Sequence, residues 1–217
     1  LESDRSLANK KILITCGPVW TRIDPVRVIS NISSGEMGHT LCRLLLAQRA
    51  KVTLLQGPTT HGFQHSKITL RTFTYFEELS ALLSQELRRH HYDIVIHAAA
   101  VSDYQLKKAS GQKISSELSC LRLNLVPTPK LITRIKKINP KVFLVGFKLQ
   151  TCNDATLLFK NTKKLIAKTS CDMVVANILT NKNYKAFLIN KDNKLMASAN
   201  SRKKIAEKLI NALKDLR

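Results

Sequence analysis

Long apolar runs are missing from this chain. No stretch approaches the roughly 20 residues that a membrane span needs, and no charged, then apolar, then small-residue signal opens it, so a soluble, cytoplasmic protein is expected. Cysteine is scarce and scattered. The five, Cys16, Cys42, Cys120, Cys152 and Cys171, are odd in number and show no CxxC spacing, which argues against a disulfide framework and against a zinc site. They are expected to be reduced, with Cys16 a buried small hydrophobe at the end of an apolar run. Aromatic residues make up only 6%, too few for a nucleic-acid surface of interleaved stacking residues and cations. No GxxxxGK(S/T) phosphate loop and no GxGxxG dinucleotide fingerprint occurs. Also absent are a Ser-His-Asp order, a carboxylate pair at glycosidase spacing and a histidine cluster that would hold a metal.

Acidic residues are outnumbered, 15 Asp and Glu against 36 Lys and Arg, a formal charge of +21. The excess is lopsided: residues 1–103 hold 12 basic and 9 acidic side chains, and residues 104–217 hold 24 and 6. Two explanations stay open, a general enrichment of surface lysine and an anionic partner for the second half, such as a nucleic acid, a nucleotide triphosphate or a phosphorylated substrate.

What is present is a folded α/β pattern. The 217 residues, 44% of them apolar, suffice for one domain with a sizeable core. Residues 1–8 lack an apolar period and read as a tail or linker remnant; 9–217 read as a single domain. "KKILITC", "KVTLLQGP", "KITLRTF" and "DIVIHAAA" are predicted strands, with helices from about Gly38 to Arg49 and over "YFEELSALLSQELRRHH". Strands alternating with helices predict a Rossmann-like, mostly parallel sheet flanked by helices. From Val101 the apolar rhythm stops, and a flap loop is predicted over about residues 104–118. Strand "LRLNLVP", helix "PKLITRIKKI" begun by Pro129, strand "KVFLVGF", helix "ATLLFKNTKKLIAK" and strand "DMVVAN" follow. "YKAFLIN" and "KLMAS" flank a turn as a late antiparallel hairpin, before a closing helix capped by Asn200 or Ser201.

Two loops carry the chemical interest. In "IDPVRVISNISSGEMG", Ser33, Ser34 and Gly35 precede a helix and offer hydroxyl and backbone donors, either to an anion at the strand's carboxyl end or simply to the helix start. In "HAAAVSDY" three alanines permit close backbone approach and Asp103 stands at the sheet's rim; packing alanines and a turn-capping aspartate are the plainer alternative. Lys107, Lys108 and Lys113 in the flap, and Lys163, Lys164 and Lys168 in a later helix, are a solvated surface or cations that neutralise charge developing on phosphate. The second strand ends "LLQGP", without the acid that would hold a ribose in a dinucleotide enzyme.

At these residues the chain resembles the phosphopantothenoylcysteine synthetase (phosphopantothenate cysteine ligase) family of coenzyme A biosynthesis. The family pattern, close to "LITaGpT…iDPVRyIsNxSSGkMG", meets "LITCGPVWTRIDPVRVISNISSGEMG" here. "LLQGPTT", "AAAVSDY", the lysine-bearing flap, "PTPKLI", "LVGF" and "DMVVAN" follow in family order, from about Lys10 to Arg217. The resemblance implies a ligase that activates 4'-phosphopantothenate with CTP or ATP, CTP being favoured, to an acyl-nucleotide that cysteine attacks, with magnesium as cofactor. It implies catalytic roles for Asn31, which holds the intermediate, and for Lys113 in the second half-reaction. Nucleotide contacts are implied at Ser33, Ser34, Gly35, Gly38, His97, Ala98, Ala99, Asp103, Lys113, Pro129, Lys130, Leu131, Ile132, Phe147, Lys164 and Lys168. It implies a homodimer paired through the late hairpin, with small-molecule substrates and no nucleic-acid or membrane partner. In many bacteria such a domain follows a flavin-dependent decarboxylase, so this chain is expected to be a stand-alone synthetase or one domain of such a fusion. Val19, Trp20, Thr21, Glu36, Ser115, Ser116 and Gln150 depart from the family's usual residues, which puts phosphate affinity and base preference in question. An NAD(P)-binding reductase on a Rossmann-like sheet is the alternative from another class.

Overall fold

The computed structural model describes residues 7–180 and 183–216; most of the tail expected over 1–8 lies outside that range. Leu7, within it, is 2% exposed and joins the core. In chain order the elements are β1 (Lys11–Cys16), β2 (Thr21–Arg22), β3 (Val28–Ile29), α1 (Glu36–Ala47), β4 (Lys51–Gln56), β5 (Ile68–Thr72), α2 (Phe76–Arg89) and β6 (Ile94–His97). Then come β7 (Tyr104–Leu106), β8 (Leu125–Pro127), α3 (Ile132–Ile138), β9 (Phe143–Gln150), α4 (Ala155–Thr169), β10 (Met173–Leu179), β11 (Tyr184–Asn190), β12 (Leu195–Ala199) and α5 (Arg202–Lys214).

Eight strands form one sheet in the order β12-β11-β10-β9-β6-β1-β4-β5. From β5 to β10 all neighbours are parallel, and β11 and β12 add antiparallel. The expected Rossmann-like sheet with a late antiparallel hairpin is therefore what the chain adopts. Strand β1 is buried at every position after Lys11, because helices cover both faces of a parallel sheet. On one face, Ile12, Ile14, Leu54 and Ile96 pack with Leu41 and Leu45 of α1 and Leu209 and Leu213 of α5. On the other, Leu13, Val95, Leu144 and Val174 meet Leu79 and Leu83 of α2, Ile135 of α3 and Leu158 and Ile166 of α4.

Element edges differ from the periodicity in physically readable ways. Helix α1 starts two residues before the expected Gly38, at Glu36, because Gly35 can take the left-handed conformation that turns the chain into it (φ 75°). Pro129 stands ahead of α3 rather than in its first turn, since Leu131 is the N-cap. Of "LRLNLVP" only Leu125–Pro127 is a strand, pairing with β7 outside the main sheet. The loop after β1 contains the short β2-β3 hairpin, which two-residue strands make invisible to periodicity. Ser201, not Asn200, caps α5 through its Oγ, which accepts from Lys204 N at 3.2 Å.

Candidate active site

Between β1 and β6 the strand order reverses direction: from β1 the chain adds β4 and β5 on one side, then crosses to β6 on the other. The loops leaving the carboxyl ends of β1 and β6 therefore diverge and leave a crevice between them, the place where open α/β sheets bind ligands. These are the "DPVR…SSGEMG" and "AAAVSDY" loops. They are stitched to each other. Ala100 N donates to Gly17 O at 2.9 Å, Val19 N donates to Ala100 O at 3.2 Å, and the Asn31 side chain donates through Nδ2 to the same Ala100 O at 3.0 Å. Asn31 thus spans the crevice while remaining exposed.

Helix α1 opens on this crevice with Gly35 as its N-cap and no side-chain cap bond. Among the described residues a neighbouring hydroxyl approaches only at long range, Glu36 N donating to Ser34 Oγ at 3.4 Å. The first-turn N–H groups are therefore left to an outside acceptor, and the positive end of the helix faces the site. A Cβ on Gly35 would lie 2.7 Å from Thr59 Cγ2, and one on Gly38 only 2.2 Å from Cys16 Cβ. Gly38 is thus where α1 presses onto β1, a packing role that brings the helix start close to the strand end.

Behind the crevice His97 is buried, its Nδ1 2.9 Å from Thr15 Oγ1. The same hydroxyl accepts from Ala99 N at 3.2 Å, so it is suited to donate its proton to Nδ1. Burial pulls the His97 pKa down to about 4, and the ring is neutral at physiological pH. The His97 side chain is spent on shaping the β6 end, while Ala98 and Ala99 are half-buried beside the crevice. Asp103, exposed at the rim, pairs with Lys130, and its carbonyl accepts from Thr128 N at 2.9 Å. That contact brings the Pro129–Ile132 segment to the site: Pro129 and Lys130 are exposed, Ile132 is half-buried and Leu131 is core. The Thr128 hydroxyl is buried without a hydrogen-bond partner. Phe147 is half-buried at the carboxyl half of β9.

The flap is bonded to the first of these loops. Lys113 is exposed, and its neighbour Ile114 is tied to the first loop: Ile114 N donates to Asp24 Oδ2 at 3.2 Å, and Arg27 Nη1 donates to Ile114 O at 3.1 Å. Lys164 and Lys168 are not gathered in. They are exposed in α4, which begins at the carboxyl end of β9 and runs away from it, so they stand roughly 13 and 20 Å along the helix from its first residue.

Two residues that support the site escaped the sequence reading. Thr15 is a polar residue inside the apolar run "KILITC", a signal in itself. Asp24 is the Asp of an Asp-Pro turn, an ordinary turn signal whose link to a flap some 90 residues away no local pattern contains. The position where a dinucleotide enzyme would hold a ribose is also occupied. Gln56 at the end of β4 accepts through Oε1 from Phe63 N at 2.9 Å, and the same oxygen lies 2.8 Å from His39 Nε2, so its amide oxygen is consumed internally.

A cavity of about 680 Å³ lies elsewhere, at the amino ends of β1, β4 and β5. Its lining includes the exposed Lys11, Arg49, Lys51, Lys67 and Arg71, at the end of the sheet opposite the strand-order crevice. Among the described residues no group of three His, Cys, Asp or Glu side chains could hold a metal ion, and no helix is long and apolar enough to cross a membrane.

Residues 7–216 match the family described as the DNA/pantothenate metabolism flavoprotein C-terminal domain. The chain belongs to this family. A relative from Thermococcus kodakarensis, "Coenzyme A biosynthesis bifunctional protein CoaBC", is 39% identical over 176 residues, covering 81% of this chain and 43% of the relative. The chain thus spans under half the length of that relative. Among solved structures, the DNA/pantothenate metabolism flavoprotein of Streptococcus pneumoniae superposes with a TM-score of 0.83 at 27% identity, covering 94% of this chain and 98% of that one. Cab2 in complex with phosphopantothenate-cysteine superposes with a TM-score of 0.73 at 20% identity, covering 94% of this chain and 86% of that one. This last likeness is one of fold.

Proposed function

We propose that this chain is a phosphopantothenoylcysteine synthetase, joining 4'-phosphopantothenate to cysteine through an acyl-nucleotide, with CTP as the favoured nucleotide. The observation that carries the reading is the Asn31 bond across the crevice to Ala100 O, which places the family motif's polar side chain between the two strand-end loops. The relative's name supports coenzyme A synthesis, and the complex held by Cab2 supports the product's chemistry.

The chemistry follows from the poor electrophilicity of a carboxylate. A carboxylate oxygen of phosphopantothenate attacks the nucleotide's α-phosphorus and pyrophosphate leaves. The cysteine amino group then attacks the acyl carbon, forming the amide bond and losing its proton, and the nucleoside monophosphate departs with the carbonyl–phosphate oxygen. Ser33, Ser34 and the uncapped start of α1 receive phosphate oxygens. Asn31 holds the acyl-phosphate, and Lys113 neutralises charge on the leaving phosphate. Proximity supplies much of the rest. Asp103, the exposed carboxylate at the rim that also pairs with Lys130, would be the protein's contact to a magnesium ion, which would supply offsetting charge to the phosphates. Lys164 and Lys168, some turns along α4, are the outlying members of the expected nucleotide set. The homodimer expected through the late hairpin belongs to the same proposal.

The test is to incubate the protein with phosphopantothenate, cysteine, magnesium and CTP or ATP and to follow pyrophosphate. Release that depends on phosphopantothenate, faster with CTP, is expected. No release with either nucleotide would sink the ligase reading.

A further inference from the structure

The flap's exposed residues leave it little apolar surface with which to hold itself down, yet its backbone is gripped. Asp24, in the turn between β2 and β3, is 1% exposed. Its Oδ1 accepts from Val26 N at 2.9 Å and from Arg27 N at 2.8 Å, closing its own turn. Its Oδ2 faces outward to the flap, taking Ile114 N at 3.2 Å and Arg27 Nη1 at 3.2 Å. The same Nη1 donates to Ile114 O at 3.1 Å. One flap residue is therefore held at both its N–H and its C=O by one ion pair from the first loop. A further bond, Ser110 N to Ile23 O at 2.9 Å, fixes the flap's other limb to the same turn.

We infer that Asp24 is a positioning residue: with Arg27 it clamps the Ile114 backbone and so sets Lys113, the adjoining residue, over the loop that carries Asn31. The part of this assigned to Lys113 rests on the ligase reading; the clamp does not. Charge-assisted bonds are about twice as strong as neutral ones, and here they act on backbone atoms, so the flap's side chains stay free for ligand. The two halves of the carboxylate are separable. One oxygen serves the turn and the other the flap, so Asp24→Asn can keep the turn through its Oδ1 while presenting an amide N–H₂ to Ile114 N–H and the Arg27 guanidinium, neither of which can accept from it.

The experiment compares wild type and Asp24→Asn in the full-length protein by two readouts. Amide hydrogen exchange is expected to quicken at least 10-fold over residues 107–118 in the variant while β1 and β6 keep wild-type rates. In single turnover, pyrophosphate release is expected to stay within 3-fold of wild type, and cysteine-dependent consumption of the acyl-nucleotide to slow at least 30-fold. Unchanged flap exchange, or an equal loss in both half-reactions, overturns the inference. Should exchange also rise in β1 and β6, Ile114→Pro decides, since it removes the same N–H from the flap side. Faster exchange at Gln112, Lys113 and Ser115 supports the clamp, and wild-type rates there refute it. A wild type that releases no pyrophosphate defeats the ligase reading, while the exchange result still judges the clamp.

Discussion

Asn31 donates to a carbonyl that already accepts from Val19 N, and it does so from an exposed position. A side chain held in place yet open to solvent is ready to bind. In Asn31→Asp an oxygen replaces the Nδ2 donor and meets the Ala100 carbonyl oxygen, so the loops are pushed apart where they should join. Turnover is expected to fall at least about 100-fold, the scale of losing one well-placed stabilising donor, with acyl-nucleotide accumulating in quenched samples. Lys113→Gln is expected to stall at the same stage, and wild-type turnover in both variants would remove these roles. His97 has a different consequence. Its pKa is lowered from 6.5 to about 4 by burial, so between those values the unfolded chain binds a proton that the folded one refuses. The stability this neutral ring contributes is complete above about pH 6.5 and is lost as pH falls through 4, on the order of 3 kcal/mol in all. Urea titrations from pH 7 to 4 should show His97→Asn losing less stability over that window than wild type; parallel curves would mean that the ring is not buried neutral.

At the scale of elements, the approach of α1 to β1 sets the depth of the site. Gly38 lies over Cys16 with no room for a methyl group. Gly38→Ala should cost about 2 kcal/mol, seen as a fall of roughly 4–8 °C in Tm, and adding Cys16→Gly should recover part of it. If Gly38→Ala melts like wild type, the helix does not press on the strand as described. Burial also explains why Cys16 is no nucleophile: it pushes the thiol up to about 12. The strands and long helices were legible because β1, β4 and β6 are mostly apolar runs and α2 and α5 carry clear apolar stripes. The β2-β3 pair and β7 were not, since two or three residues hold no period, and β8 was legible only as part of the longer run "LRLNLVP". Their pairing depends on loops that meet only when the sheet has formed.

Across the whole molecule, the hairpin edge is where the proposed dimer can be tested. Strand β12 ends the sheet and exposes Leu195 and Met196 by 54% and 53%, an open apolar edge that proteins usually cover. Sedimentation should show a dimer that Leu195→Glu with Met196→Glu converts to a monomer. A monomeric wild type, or a double variant that still pairs, would reject the hairpin interface. The sequence by itself determined the class of fold, the order of its main elements and the two loops that matter, because burial on both faces of a parallel sheet writes itself into continuous apolar runs and a polar motif at a strand's end has few other uses. Only the tertiary structure decided that Asn31 reaches Ala100, that Asp24 grips the flap, that His97 turns inward to Thr15 and that Lys164 and Lys168 stand apart along α4. Those facts depend on which strand ends become neighbours, and neighbourhood across 69 or 90 residues is created by the crossover of the sheet, which no local pattern of residues encodes.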